Sequence, residues 1–270
     1  MQRHALFSRL CVSSGLWRGQ GIEAVARSMM RLGLSRIELA GGHFHPDRDN
    51  ARAFNYLAEA GVAVAVLRLT GLERGQKLRA IEEAGRRGVP AVIDRAEELL
   101  FPDLIDRTRE YVLCAGYNGV YLILDNDTAS DCDHATAQLA LSRVVRHPAL
   151  RLGFSPSHAV AGRREPADEV RALGRHLMIA YLADAPEDVV ARSRREVFGE
   201  APPVSRRPGA APGRLDWVAY FQALASIRFQ GLLNLGWTAS PEPGSARTEW
   251  EIAEAIGFCA AAARQAGLHP

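Results

Sequence analysis

The chain has 270 residues, is 47% hydrophobic and 24% charged, and carries a net charge of +2; no apolar run approaches the ~18 residues that span a membrane. That composition is ordinary for a soluble globular protein, and the charge is too near zero to draw the chain to nucleic acid or a membrane surface. MQRHALFSRLCVSSG lacks the pattern of a signal peptide, and Cys11, Cys114, Cys132 and Cys259 form no CxxC pair, so they read as reduced thiols of a cytoplasmic protein. Lys77 is the only lysine; nearly all the positive charge is arginine.

Arg9–Ser14 (RLCVSS) reads as a first strand ending in two serines. A helix is predicted over Gly21–Leu34, with Gly33 as its C-cap. Arg36–Leu39 (RIEL) is the second strand, followed by the polar loop GGHFHPDRD and a helix over Asn50–Ala60. Val62–Leu69 is the third strand, with Arg68 near its end, and Leu72–Arg87 a helix stopped by Gly88. Pro90–Arg95 (PAVIDR) is the fourth strand, and a helix follows that ends near Ala115–Gly116. Gly119–Asp127 (GVYLILDND) is the strongest strand signal: its continuous apolar run is typical of a strand buried on both faces of a parallel sheet. By alternation, Asp125 and Asp127 share a face with Ile123. Either two carboxylates point into a barrel mouth, or they cap the next turn.

Downstream, helices are predicted at His134–Val145 and Asp168–Leu173, flanking a sixth strand, Leu150–Phe154, and a loop, SPSHAVAG. His176–Leu182 (HLMIAYL) is the seventh strand, followed by Asp184. A connection of about 30 residues, 185–214, is rich in Arg and Pro and shows no clear element, which is long for a compact domain; it reads as a lid or an oligomerisation loop. Helix Leu215–Ile227, strand Gly231–Leu235 and helix Thr248–Ala266 complete the chain. The strands recur with a period of roughly 26–31 residues until the long connection, one βα unit each. Eight such units predict a single (β/α)₈ barrel of α/β class spanning 1–270, near the roughly 250 residues typical of that fold.

Several stretches in this order resemble the xylose-isomerase-like TIM barrels, sugar and sugar-phosphate isomerases and epimerases. They are RIEL, LILDND, FSPSH, AYLAD and PGRLDW followed by QGLLNLGW. The resemblance implies a divalent metal held by Glu, Asp, His and Glu at the ends of strands five to eight. At the matching positions this chain has Asp125, Ser155, Tyr181 and Gly236. One carboxylate, a serine, a phenol and a glycine make a poor set for a hard divalent ion. The expectation is therefore the fold with a degenerate metal site, no cofactor and no stoichiometric metal.

The resemblance also places Glu38 along the sugar site, makes His158 the family's proton-transfer or substrate residue, and assigns Asp184 as an orienting acid. His158, with imidazole chemistry near neutral pH, is the leading acid–base candidate, with Asp125 or Glu38 as its partner. Arg68 either pairs with Asp94 across adjacent strands or binds a substrate carboxylate or phosphate; Asp94 is a binding candidate with it. Tyr181 either donates a hydrogen bond to substrate or fills the space a metal would take. Trp17 and Trp237 follow the first and last strands and could form a wall against a sugar ring, or simply pack. His43 and His45, two apart, either supply two nitrogens to a replacement metal site or are solvated. Arg192, Arg194, Arg195, Arg206, Arg207 and Arg214 form either a phosphate clamp or a solvated loop. The functional expectation is an isomerase or epimerase acting by proton transfer on a small sugar-like or keto-acid substrate, with no nucleic acid or membrane partner. The alternative is an inactive barrel serving as a binding or scaffold subunit, as a homo-oligomer or beside an active homologue.

Overall fold

A computed structural model describes residues 7–96, 101–127, 130, 132–185, 205–210, 213–237 and 245–268. Eight parallel strands close into a barrel in sequence order: β1 (Leu10–Ser13), β2 (Arg36–Leu39), β3 (Ala63–Arg68), β4 (Ala91–Arg95), β5 (Tyr121–Asp125), β6 (Leu150–Phe154), β7 (Leu177–Leu182) and β8 (Leu232–Leu235), with β8 pairing back onto β1. The helices are α1 (Ile22–Leu32), α2 (Ala51–Glu59), α3 (Arg74–Arg86), α4 (Phe101–Tyr117), α5 (Ala135–Val145), α6 (Pro156–Ala161), α7 (Pro166–Leu173), α8 (Trp217–Ser226) and α9 (Ser245–Gln265). No helix among the described residues is long and apolar enough to cross a membrane.

Local chemistry sets these bounds. Gly33 ends α1 at φ 65°, and its N–H bonds back to the carbonyls of Met29 and Met30, as the left-handed glycine cap requires. Asp216 caps α8 by accepting from the Ala219 N–H at 2.9 Å. The predicted loop SPSHAVAG is instead the short helix α6. Ser155 stands in extended backbone before it and Pro156 occupies its first turn, where a missing N–H costs nothing. His158 therefore rides on a helix, not on a loop.

The core has two layers. Cys11, Val66, Ala91, Ile93, Ile123 and Ile179 fill the barrel interior. A larger shell, including Trp17, Met29, Leu67, Leu122, Phe154, Tyr220 and Phe221, packs the outer strand faces against the helices. Gly153 lies between Ile93 and Ile123. A Cβ there would come within 3.2–3.3 Å of their side chains, so the glycine gives the two isoleucines the barrel's middle.

Candidate functional site

Side chains alternate along a strand. Because Cys11, Ile93, Ile123 and Ile179 point inward, so do Ser13, Arg95, Asp125 and Tyr181 two residues on, at the C-terminal mouth where barrels of this architecture carry their chemistry. Glu38 on β2 and Arg68 on β3 join them. The structure thus assembles Glu38, Arg68, Asp125 and Tyr181 into one cluster.

Glu38 is its hub and is fully buried. Its Oε1 accepts from Ser13 Oγ at 2.9 Å and from Arg68 Nε at 2.9 Å; its Oε2 accepts from the Tyr181 hydroxyl at 2.8 Å, Asn234 Nδ2 at 2.7 Å and Arg68 Nη2 at 3.3 Å. Burial alone would raise its pKa, but Arg68, Tyr181 and Ser13 outweigh it and hold the carboxyl below the usual range. Arg68 Nη2 also donates to the Tyr181 oxygen, and the guanidinium lies 5.5 Å from the centre of the Tyr181 ring. Burial opposes the charge on Arg68, yet Glu38, Tyr181 and Asp125 keep it firmly protonated. Its Nη1 has no partner among the described residues. Burial pushes the Tyr181 phenol up, so it stays a neutral donor.

Asp125 differs from Glu38. It is buried at the end of β5, and its one ion-pair neighbour among the described residues is Arg68 Nη2 at 3.9 Å, beyond a hydrogen bond. Its Oδ1 accepts from the Asn126 N–H at 3.0 Å. Burial raises its pKa, only partly offset by Arg68 and His158. His158 on α6 is half-buried and close enough to Asp125 to act on it electrostatically. Asp127, further along, pairs with Arg95 at 3.8 Å.

Other predicted residues lie elsewhere. Asp94 faces outward from β4 and binds Lys77 Nζ of α3 at 2.6 Å, both side chains being buried; it pairs with neither Arg68 nor the mouth, because alternation puts it opposite Ile93 and Arg95. Asp184 is consumed by structure: its Oδ1 accepts from the N–H groups of Ala185, Arg214 and Leu215, and its Oδ2 from Trp217 Nε1 at 3.1 Å. Trp17 is fully buried in the outer shell and cannot stack on a ligand at the mouth; Trp237 is half-buried against the same shell. His43 bonds the Gln20 carbonyl oxygen at 2.8 Å, while His45 accepts from the Asp47 N–H and lies 4.0 Å from its carboxylate. Among the described residues no group of three or more His, Cys, Asp and Glu could hold a metal ion. Arg192, Arg194 and Arg195, and most of the 185–214 connection, lie outside the described residues. Arg207 stacks over Trp250 of α9, and Arg206 is joined through its backbone to Asp184, so these two do not converge on an anion site.

The four positions matched to the family's metal ligands do not fit a divalent ion. Ser155 Oγ is 2.9 Å from Ser157 Oγ, and the Tyr181 hydroxyl is bound to Glu38. Gly236 offers no side chain, and a Cβ there would lie 3.8 Å from the Tyr181 ring. Only Asp125 could ligate, and a guanidinium stands beside it.

Two groups escaped the sequence reading. Ser13 and Asn234 complete the shell of Glu38, and alternation back from Gly236 could have found Asn234. Asn126 clamps β5 to β6, giving Nδ2 to the Ser155 carbonyl at 3.0 Å and accepting the Ser155 N–H at 2.6 Å.

No family model matches the chain, and no curated protein matches it. Solved structures do. A fusion protein of a xylose isomerase-like TIM barrel with a 4-hydroxyphenylpyruvate dioxygenase aligns over 95% of this chain with TM-score 0.75 and 16% identity; this chain spans 43% of its length. The fold is that of the xylose isomerase-like TIM barrels. A xylose isomerase domain protein from Planctomyces limnophilus aligns over 96% of this chain and 98% of its own at TM-score 0.73 and 18% identity. A D-psicose 3-epimerase, crystallised in the presence of D-fructose, aligns over 94% and 99% at TM-score 0.72 and 13% identity. At identities of 13–18%, what these structures share with this chain is the closed eight-stranded barrel.

Proposed function

We propose that this xylose isomerase-like barrel catalyses proton transfer on a small sugar-like or keto-acid carbonyl compound, as an isomerase or epimerase without a divalent metal. The observation that carries the reading is Asp125, a buried carboxyl at the barrel mouth whose proton affinity is raised and which is only loosely held by the protein. Catalytic bases are tuned in this way, by burial beside a charge partner. Glu38, the other sequence candidate, has both oxygens occupied and a lowered pKa, so it serves as the anchor of Arg68 and Tyr181 and not as the proton carrier.

In this reading Asp125 takes the proton from the carbon next to the carbonyl. The C–H electron pair becomes the enediolate double bond, and the carbonyl electrons move to oxygen, where Arg68 Nη1 receives the charge. Protonation by Asp125 at the former carbonyl carbon, with the proton of the adjacent hydroxyl passing to the oxyanion held by Arg68, gives isomerisation; protonation of the original carbon from the other face by His158, with Asp125 keeping the proton it took, gives epimerisation. The epimerase among the similar structures supports the sugar-like substrate class. The test is solvent exchange: incubation with a panel of ketoses, aldoses and 2-keto acids in heavy water should label the α-carbon, and Asp125→Asn should abolish labelling. No labelling by the wild type across the panel, with and without Mn²⁺, would sink the proposal.

A second reading, a barrel that binds or scaffolds beside an active homologue, is favoured by one observation: the Glu38, Arg68 and Tyr181 groups satisfy one another. Co-purification with a metal-binding relative would support it, and full activity of the isolated chain would end it.

A further inference from the structure

Leu113 and Tyr117 stand one turn apart on α4 and are turned to solvent, 59% and 93% exposed; Val144, in the last turn of α5, is exposed as well. Arg109, one turn before Leu113, donates from Nη2 to the Val144 carbonyl at 3.3 Å, so the apolar ridge of α4 runs beside Val144. Past Val144 the surface turns basic. Arg143 is exposed on α5, Arg175 is exposed just before β7, and Arg151 at the start of β6 stacks over the Tyr121 ring at 4.9 Å. These three arginines converge on His176: after burial, their charges are what hold its imidazole below the usual range. None of the three pairs with a carboxylate among the described residues; Arg151 donates only to the Pro148 and Leu150 carbonyls. The C-terminal end of α5 favours a cation at Arg143, but Arg151 stands in a strand and gains nothing from it.

We propose that this face docks an acidic segment of another protein, whose carboxylates meet Arg143, Arg151 and Arg175 while an apolar side chain seats on Leu113, Tyr117 and Val144. Tyrosine and arginine are the residues that carry most of the energy at protein interfaces, and exposed apolar side chains grouped beside them mark such surfaces. Charge selects the occupant. Twofold pairing with a second copy sets one patch against itself, which would bring the arginines of both chains face to face. A nucleic acid would use the arginines and the tyrosine rings but would leave Leu113 and Val144 without a counterpart. An acidic segment with an apolar anchor answers both halves of the surface. The patch lies at the N-terminal ends of the strands, opposite the mouth that holds Asp125, so the inference stands whether or not the barrel turns over a substrate.

The test is selection of a random dodecapeptide phage library on the immobilised full chain, followed by fluorescence anisotropy of the enriched peptides. They should be rich in Asp and Glu around an apolar residue, and should bind more weakly as salt is raised. Arg143→Glu/Arg175→Glu and Leu113→Ser/Tyr117→Ser, all at exposed positions, should each weaken binding by about tenfold or more, the scale of placing like charges together or removing an aromatic anchor. Circular dichroism confirms that the variants fold; should the charge reversal unfold the chain, Arg143→Gln/Arg175→Gln takes its place. Selection that enriches no acidic peptide, or peptides that bind both variants as well as wild type, would overturn the proposal. So would an oligothymidylate that binds more tightly than the peptides and is lost with the same arginines, which would give the face to nucleic acid.

Discussion

Tyr181 on β7 and Glu38 on β2 meet across the barrel, the phenol donating to Glu38 Oε2 at 2.8 Å. Two strands, β8 and β1, separate them in the sheet. The bond therefore ties opposite arcs of the mouth together through side chains, while Arg68 donates to both partners from a third strand. The consequences of removing each member differ.

Tyr181→Phe takes one donor from an ionised carboxylate that keeps four others. It should cost about 1.5–3 kcal/mol, the scale of a hydrogen bond to a charged group. Glu38→Ala strands the Arg68 charge in the interior and should cost about 3–5 kcal/mol. Urea unfolding of the two variants checks the order; an equal or smaller loss for Glu38→Ala would mean that Glu38 is not the anchor.

Asp125 and Glu38 should titrate with opposite effects on stability. Burial raises the folded pKa of Asp125 above its unfolded value. The folded state then holds that proton more tightly, and ionisation removes stability as pH climbs from the ordinary carboxylate range through the raised value. Asp125→Asn should therefore melt higher than wild type near neutral pH, with the difference shrinking in acid. For Glu38 the folded pKa is lowered, against the pull of burial, by Arg68, Tyr181 and Ser13. Its contribution is present above the ordinary range and lost as pH falls through the folded value. Melting temperature against pH for Asp125→Asn and Glu38→Gln separates the two; parallel curves would contradict both assignments.

Lys77→Met should destabilise by about 3–5 kcal/mol, because it takes the ammonium away from a buried carboxylate, yet leave solvent exchange unchanged. The pair faces the helical shell, not the mouth. The double variant Lys77→Met/Asp94→Leu should regain most of the loss. A change in exchange rate at full folding would return Asp94 to the site.

Asp184→Ala removes the acceptor shared by three backbone N–H groups and the Trp217 indole. At about 1–3 kcal/mol per stranded buried donor, a loss of at least ~2 kcal/mol is expected. Exposure of the indole would show as a red shift of tryptophan emission. An unshifted spectrum with an unchanged melt would refute the anchoring role.

The fold was legible because its signals are local and repeated. Apolar runs such as YLILD, closed by turn residues, recur at the spacing of one βα unit, and Gly33 stops its helix where a left-handed residue is needed. Alternation put Asp125 on the face of Ile123, and the closed barrel makes that face the inner one. The site was legible only where a strand-end residue follows that parity. Glu38 and Arg68 were legible as strand-end candidates, but not their bond, since partner choice between strands depends on barrel curvature and on the register shift between Ile37 and Glu38. Asp94 was misplaced because its parity was read from a charge at a strand end instead of from Ile93. The roles of Asp184 and Asn126 depend on backbone groups brought close by folding, which no side-chain pattern announces.

Lys77 has one more consequence. The chain's single ε-ammonium is locked between Asp94 and the face of Tyr111. Active-ester dyes, amine crosslinkers and acetylating reagents should leave this side chain unmodified on the native protein, so such labelling reports unfolding: modification at Lys77 marks a molecule whose α3 has come away from β4.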